Sequence, residues 1–105
     1  MRSVRAPGYT DRYETLPPHI RRKADDLFEV FKEDPNDPLL ENEELYDSKK
    51  GRHRKGSHSV NITAQYRAIY VVDNGRHGGE PEQCCWYWIG NHNDYDSFIG
   101  KKKKH

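Results

Sequence analysis

Arg67, His92 and Tyr95 are residue types that can act together on a phosphodiester. Arg67 lies in "QYRAIY". His92 and Tyr95 lie in "WYWIGNHNDYD" (86–96), where Trp86, Tyr87, Trp88 and Ile89 give way at Gly90 to polar, titratable residues. Cleavage of RNA through its own 2′-hydroxyl needs a general base, positive charge for the phosphorane and an acid for the leaving 5′-oxygen. Histidine gives or takes a proton near neutrality. Arginine binds phosphate oxygens bidentately as charge develops on them, and tyrosine donates a hydrogen bond or stacks on an unpaired base. Each signal is weak singly: a strand arginine is as often a structural ion-pair residue, and a histidine in a polar loop is more often without a chemical role.

A cationic rim would reinforce the set. Residues 49–58, "KKGRHRKGSH", hold five Lys/Arg and two His with no acid, so Lys49, Lys50, Arg52, Arg54 and Lys55 are candidate RNA contacts. Residues 33–47 hold seven acids and no base, and the net charge is only +1. Charge blocks act locally, so a basic loop attracts phosphate on a nearly neutral protein. A solvated basic loop beside a solvated acidic one explains the pattern equally well. The lysines of "KKKKH" read as a flexible tail from about residue 100.

The elements that must position these residues follow from the hydrophobic pattern. A chain of 105 residues makes one domain, residues 1–105, with a modest core, since only 32% of residues are hydrophobic and 33% are charged. "SVRA" (3–6) reads as a short first strand. Tyr9, Tyr13 and Leu16 are spaced for a short helix. Pro17 and Pro18 suit the start of a second, whose face carries Ile20, Ala24, Leu27, Phe28 and Phe31 until Asp34-Pro35 stops it. Residues 35–56 read as irregular. "SHSVNI" (57–62) alternates, with His58, Val60 and Ile62 on one face and Ser57, Ser59 and Asn61 on the other. "YRAIYVV" (66–72) and "CCWYWI" (84–89) are β-branched and aromatic. "TAQ" (63–65) reads as a hairpin connection and 73–83 as a long Gly-rich loop. The expected architecture is α+β, with two N-terminal helices packed on one face of a small antiparallel sheet. The start of one antiparallel strand lies beside the end of the next, so Arg67 converges with His92 and Tyr95, Gly90 letting the chain turn off the sheet end.

Cys84 and Cys85 are adjacent in a strand, point to opposite faces and read as small hydrophobes. The histidines, among them His53, His58 and His77, lack metal-ligand spacing, so neither a metal nor another cofactor is expected. No stretch approaches the roughly 20 apolar residues of a membrane span. The first residues lack a signal peptide's apolar segment, so a cytoplasmic location with no membrane contact is expected.

"LPPHIRRKADDLFEVFKEDP", "SVNITAQYRAIYVV" and "WYWIGNHNDYDSFI", in this order and spacing, resemble the RelE/ParE superfamily of bacterial type II toxins over roughly residues 3–99. The resemblance implies the RelE-like fold and a cognate antitoxin that wraps the toxin and through which alone operator DNA is bound. RelE-like members cleave mRNA in the ribosomal A site without a metal, which implies the ribosome and mRNA as partners. ParE-like members instead poison DNA gyrase and lack the catalytic set. By this resemblance Arg67 matches the strand arginine that contacts the scissile phosphate. His92 matches the catalytic Arg/His position after the last strand, and Tyr95 a functional aromatic, with Phe98 as the alternative alignment. Where some members carry lysines, this chain has Ser59 and Asn61 at the outward strand positions, and Asn61 is there a further candidate RNA contact. Positive charge then falls to Arg54, Lys55 or His58, and both His92 and His58 are candidates for the general base.

Overall fold

The computed structural model describes residues 2–46, 49–73 and 83–100. The lysine tail, most of the 73–83 loop and His77 lie outside the described residues.

Strand β1 (Arg2–Arg5) passes through Ala6 into helix α1 (Pro7–Glu14), and helix α2 (Pro18–Glu33) follows. Proline opens both helices, at positions where its missing N–H would have had no helical partner. Five apolar side chains of α2, Ile20, Ala24, Leu27, Phe28 and Phe31, are buried as their spacing predicts. Asp34 is extended (φ −154°), the conformation that the following Pro35 imposes on its predecessor, and α2 ends there. Leu16 is buried in the connection between the helices instead of extending α1. The Tyr13 hydroxyl donates to the Asp25 carboxylate at 2.8 Å and ties α1 to α2.

After a short 3-10 turn (Pro38–Leu40), the chain forms β2 (Glu43–Glu44), β3 (Ser57–Thr63), β4 (Tyr66–Asp73), β5 (Gln83–Asn91) and a third helix, α3 (His92–Ile99). The sheet order is β1-β5-β4-β3-β2. Thr63 pairs with Tyr66, so Ala64 and Gln65 make a two-residue hairpin turn between β3 and β4.

The sheet is mixed, not purely antiparallel: β1 runs parallel to β5, from Arg2 opposite Gln83 to Arg5 opposite Trp86. The outer edge of β5 would otherwise present unpaired backbone groups. The single residue between β1 and α1 fixes the direction in which β1 fills that edge. The region expected to be irregular contributes β2, whose two glutamates pair with Ser59 and His58.

Helices α1 and α2 cover one face. Trp86 is at the centre of that core, with Phe31 at 4.9 Å, Tyr70 at 4.8 Å and Phe28 at 5.6 Å between ring centroids. Truncating such a buried indole typically costs roughly 3–5 kcal/mol. The opposite face carries a second, smaller core of Leu45, Ile69, Trp88 and Tyr95, with Tyr87, Phe98 and Ile99 packed against it.

A bulge in β5 explains how "WYWI" serves both cores. Ile69 pairs with Trp88 but Tyr70 with Trp86, leaving Tyr87 without an opposite residue in β4. Trp86 and Ile89 therefore face α1 and α2, while Tyr87 and Trp88 both face α3. No helix among the described residues is long and apolar enough to cross a membrane.

Candidate active site

The polar half of "WYWIGNHNDYD" is a helix, not a loop. Asn91 caps α3, its Oδ1 accepting from the Asp94 amide at 2.8 Å, and His92 is the first helical residue. The His92 amide donates to the Gln65 carbonyl at 2.7 Å, which anchors the start of α3 to the β3–β4 turn. Tyr95, Phe98 and Ile99 then fall on the face turned to the sheet, and Gly100 ends the helix in the left-handed region (φ 76°).

Gly90 does not turn the chain. It is within the β4–β5 ladder opposite Arg67, and a Cβ there would lie 2.7 Å from Arg12 Nη2 and 2.8 Å from the Trp88 ring. The glycine leaves room for Arg12 of α1 to cross the end of β5. Arg12 Nε donates to the Ile89 carbonyl at 2.6 Å, its guanidinium covers the Trp88 ring at 4.7 Å, and Nη2 is 3.4 Å from Asp94.

Arg67, His92 and Tyr95 line one cleft of about 270 Å³ with Glu43, Glu44, Leu45, Tyr46, His53 and Ile99. Tyr95 is the hub. The Arg67 guanidinium lies 5.1 Å from its ring centroid, and His92 meets the ring edge-on with centroids 6.0 Å apart. Tyr95 is only 5% exposed, and its hydroxyl donates to Ser59 Oγ at 3.1 Å. Arg67 Nη2 donates to the same oxygen at 2.9 Å and lies 3.6 Å from Glu43 Oε2. One buried serine hydroxyl thus anchors both the cation and the aromatic ring.

The Arg67 side chain is 15% exposed and its Nε is buried without a hydrogen-bond partner, so part of the guanidinium retains donor capacity. The His92 side chain is 49% exposed, with Nδ1 3.4 Å from Asp96 Oδ1 one helical turn on. Asp96 Oδ1 is buried and has no hydrogen-bond partner, so its contact with the imidazole is one of proximity. A second opening of about 440 Å³, between Ala64, Gln65, Tyr66, Asn91 and Asn93, also reaches His92.

His58 is not brought to this cleft. Its ring stacks on Tyr70 at 5.2 Å and 13°, on the sheet face that α1 and α2 cover, because it alternates with Ser57 and Ser59 along β3. Asn61 is opposite Arg67 in the β3–β4 ladder, half-buried, and does not line the cleft. Lys49, Lys50, Arg52, Arg54 and Lys55 are exposed in a loop held on the α3 side of the sheet. The Arg52 amide donates to the Phe98 carbonyl at 2.7 Å and the Arg54 amide to the Tyr87 hydroxyl at 2.8 Å. Arg52 lines a neighbouring cleft of about 210 Å³ with Arg12, Trp88, Asp94, Ser97 and Phe98. Burial pushes the Tyr87 phenol above its ordinary range, against the lowering effect of its hydrogen bonds to Ser57 and the Arg54 amide. Among the described residues no group of three or more His, Cys, Asp or Glu side chains could hold a metal ion.

Glu43 is among the cleft residues, with Glu44, Leu45, Tyr46 and Ile99, that the sequence does not single out. It sits inside an acidic block with no periodicity, and only the two-residue strand β2 carries it to Arg67. Asn91 and Asp94 did carry a signal, since a capping residue followed three positions later by an acid marks a helix start.

The fold is similar to those of solved RelE/ParE-type toxins. A YoeB/ParE toxin from Agrobacterium tumefaciens superposes with a TM-score of 0.63 at 25% identity, over 88% of this chain and 99% of that one. YafQ from E. coli strain BL21(DE3) superposes at 0.65 with 11% identity, over 90% and 98% of the two chains. A chain of the RelBE2 toxin–antitoxin complex from Mycobacterium tuberculosis superposes at 0.57 with 16% identity, over 87% and 96%. No family model matches the sequence, and no curated protein matches it. The chain thus has the α+β fold of the RelE/ParE type, in agreement with the motifs.

Proposed function

We propose that this protein is the toxin of a type II toxin–antitoxin system and that it cleaves mRNA on the ribosome, in the cytoplasm. The observation that carries the reading is the convergence of Arg67, His92 and Tyr95 with Glu43 in one cleft. Arg67 holds the scissile phosphate and stabilises the charge that develops on its oxygens. The Glu43 carboxylate, 66% exposed and beside Arg67, accepts the 2′-hydroxyl proton, since His58 is on the other face of the sheet. The 2′-oxygen attacks phosphorus, the bond to the 5′-oxygen breaks, and His92 donates the proton that the leaving oxygen takes. The products are a 2′,3′-cyclic phosphate and a free 5′-hydroxyl. Tyr95 holds the guanidinium and imidazole apart at a fixed spacing, and the loop at 49–55 follows the RNA backbone. A cognate antitoxin is the expected protein partner and the only route to operator DNA.

The test is expression of wild type, Arg67→Ala and His92→Ala in cells, with mapping of mRNA ends. Wild type should cut translated mRNA. Each variant should lose roughly 10²–10³-fold in rate, as removal of a group that stabilises developing charge does. Toxicity that persists in both variants with intact mRNA and impaired DNA supercoiling would replace this reading with gyrase inhibition.

A further inference from the structure

Tyr46 is 82% exposed, whereas Tyr9, Tyr70, Trp86, Trp88 and Tyr95 are each at most 5% exposed. Its backbone is nonetheless held on both sides. Leu45, immediately before it, is buried in the smaller core and donates its amide to the Ser57 carbonyl at 2.9 Å. The carbonyl of Tyr46 itself meets His53 Nε2 at 2.8 Å. A carbonyl only accepts, so His53 carries its proton on Nε2 and clamps the chain from the basic loop. An exposed ring on a fixed backbone retains only two side-chain torsions, so little freedom is lost when a ligand covers it.

That ring lines the same cleft as Glu43, Arg67, His92 and Tyr95. The cleft lining is mixed, with Glu43, Glu44, His53, Arg67 and His92 polar and Leu45 and Ile99 apolar, so it is not a continuous apolar groove that would seat a peptide side chain. A flat π-face needs no such groove, because a base stacks on a single ring. Lys49 and Lys50 are exposed three and four residues further along the chain.

We infer that Tyr46 is a stacking platform for an unpaired nucleobase of the RNA strand whose phosphate is held by Arg67. The inference rests on the nuclease reading and adds to it the point at which the strand is gripped beside the reacting phosphate. Stacking is tolerant of base identity, so Tyr46 contributes affinity and register more than sequence choice.

The test uses a short single-stranded oligoribonucleotide and the same oligomer with abasic positions, titrated against wild type, Tyr46→Ala, Tyr46→Trp and Arg67→Ala. Affinity and the chemical shifts of the Tyr46 ring protons are recorded, and cleavage on programmed ribosomes is measured in parallel. Tyr46→Ala should weaken the intact oligomer about 5- to 100-fold, the range found when a stacking aromatic is truncated. Tyr46→Trp should restore binding, and the abasic oligomer should not distinguish wild type from Tyr46→Ala. The Tyr46 ring protons should shift upfield with the intact oligomer only, and Arg67→Ala should weaken both oligomers alike. Unchanged melting temperatures would show that the Tyr46 variants fold.

If wild type cleaves while Tyr46→Ala binds and cleaves as well as wild type, stacking is wrong and the nuclease reading stands. If wild type fails to cleave yet binds the oligomer through Tyr46, the nuclease reading is wrong and the stacking site stands. Absence of oligomer binding by wild type overturns the inference. So does unchanged RNA affinity in Tyr46→Ala accompanied by weakened antitoxin binding, which would assign the ring to the protein partner.

Discussion

Replacing Ser59 by alanine removes one oxygen atom that two side chains of the cleft share. The Tyr95 hydroxyl, buried with its ring, loses its acceptor at 3.1 Å, and a buried donor left without a partner costs roughly 1–3 kcal/mol. Arg67 Nη2 loses its acceptor at 2.9 Å but keeps Glu43 nearby and some access to water, so its share is at the lower end of the roughly 0.5–1.5 kcal/mol of an ordinary hydrogen bond. The sum is about 2 kcal/mol, or about 10 °C in melting temperature for a domain of this size. Tyr95→Phe removes the donor instead and should cost about 1 kcal/mol. In the double variant alanine no longer strands the phenol, so the pair should cost about 1 kcal/mol less than the sum of the singles. Urea denaturation of the four proteins measures this directly, with tryptophan fluorescence as the probe, since Trp86 reports on one core and Trp88, its ring centroid 6.1 Å from that of Tyr95, on the other. Additivity to within about 0.3 kcal/mol would mean that Ser59 and Tyr95 are not coupled and that the hub is misassigned.

Gly90→Ala should push against Arg12 and the buried Trp88 ring and cost about 1–3 kcal/mol in urea denaturation, an overpacking effect that Arg12→Ala should relieve only in part because the Trp88 contact remains. Asn91→Ala removes the cap of α3 and should cost about 1 kcal/mol, with a larger proportional fall in mRNA cleavage, because the lost cap frees the turn that carries His92. Stability should fall at alkaline pH: burial holds the Tyr9 phenol up at about 12 against an ordinary 10.0, with Arg5 opposing in part. Below pH 10 both states keep the proton and the full stability is present. Above it the unfolded chain ionises first, so stability drops as pH rises from 10 towards 12, by roughly 2–3 kcal/mol from this residue. Tyr9→Phe should flatten that decline in denaturation measured across the range.

Much of the architecture is legible in the sequence because burial there follows a simple period. The α2 face, a hairpin between β3 and β4 and the opposed faces of His58 and Ser59 all follow from spacing alone, although the turn is one residue shorter than the expected 63–65 because Thr63 pairs with Tyr66. The features it hides are those set by partners far along the chain. Glu43 and Glu44 are two acidic residues whose strand exists only because β3 offers them an edge. The parallel pairing of β1 depends on an edge of β5 some 80 residues away. The bulge at Tyr87 breaks the alternation of "WYWI", so no single period reads its faces correctly. In the candidate site, the convergence of Arg67, His92 and Tyr95 could be anticipated from antiparallel geometry. Glu43, Ser59 as their common anchor, and Arg12 crossing over Gly90 could not, since each is a tertiary contact. Helix α3 is a different case: Asn91 with Asp94, the spacing of Tyr95, Phe98 and Ile99, and Gly100 spelled it out, but the density of polar residues made it resemble a loop.

The parallel pairing of β1 with β5 also sets an order of assembly. β1 emerges first during synthesis but has no partner until Gln83–Trp86 is available. The helical pair and the β3–β4 hairpin close through short loops and can form early, whereas closure of the β1–β5 ladder spans almost the whole described chain. His92 and Tyr95 follow β5 directly, so the cleft they line is assembled in the same late step as the sheet. A chain that has folded only its helices and first hairpin therefore still lacks the assembled cleft. Pulsed hydrogen exchange during refolding should protect β3 and β4 before β1, β5 and the first turn of α3.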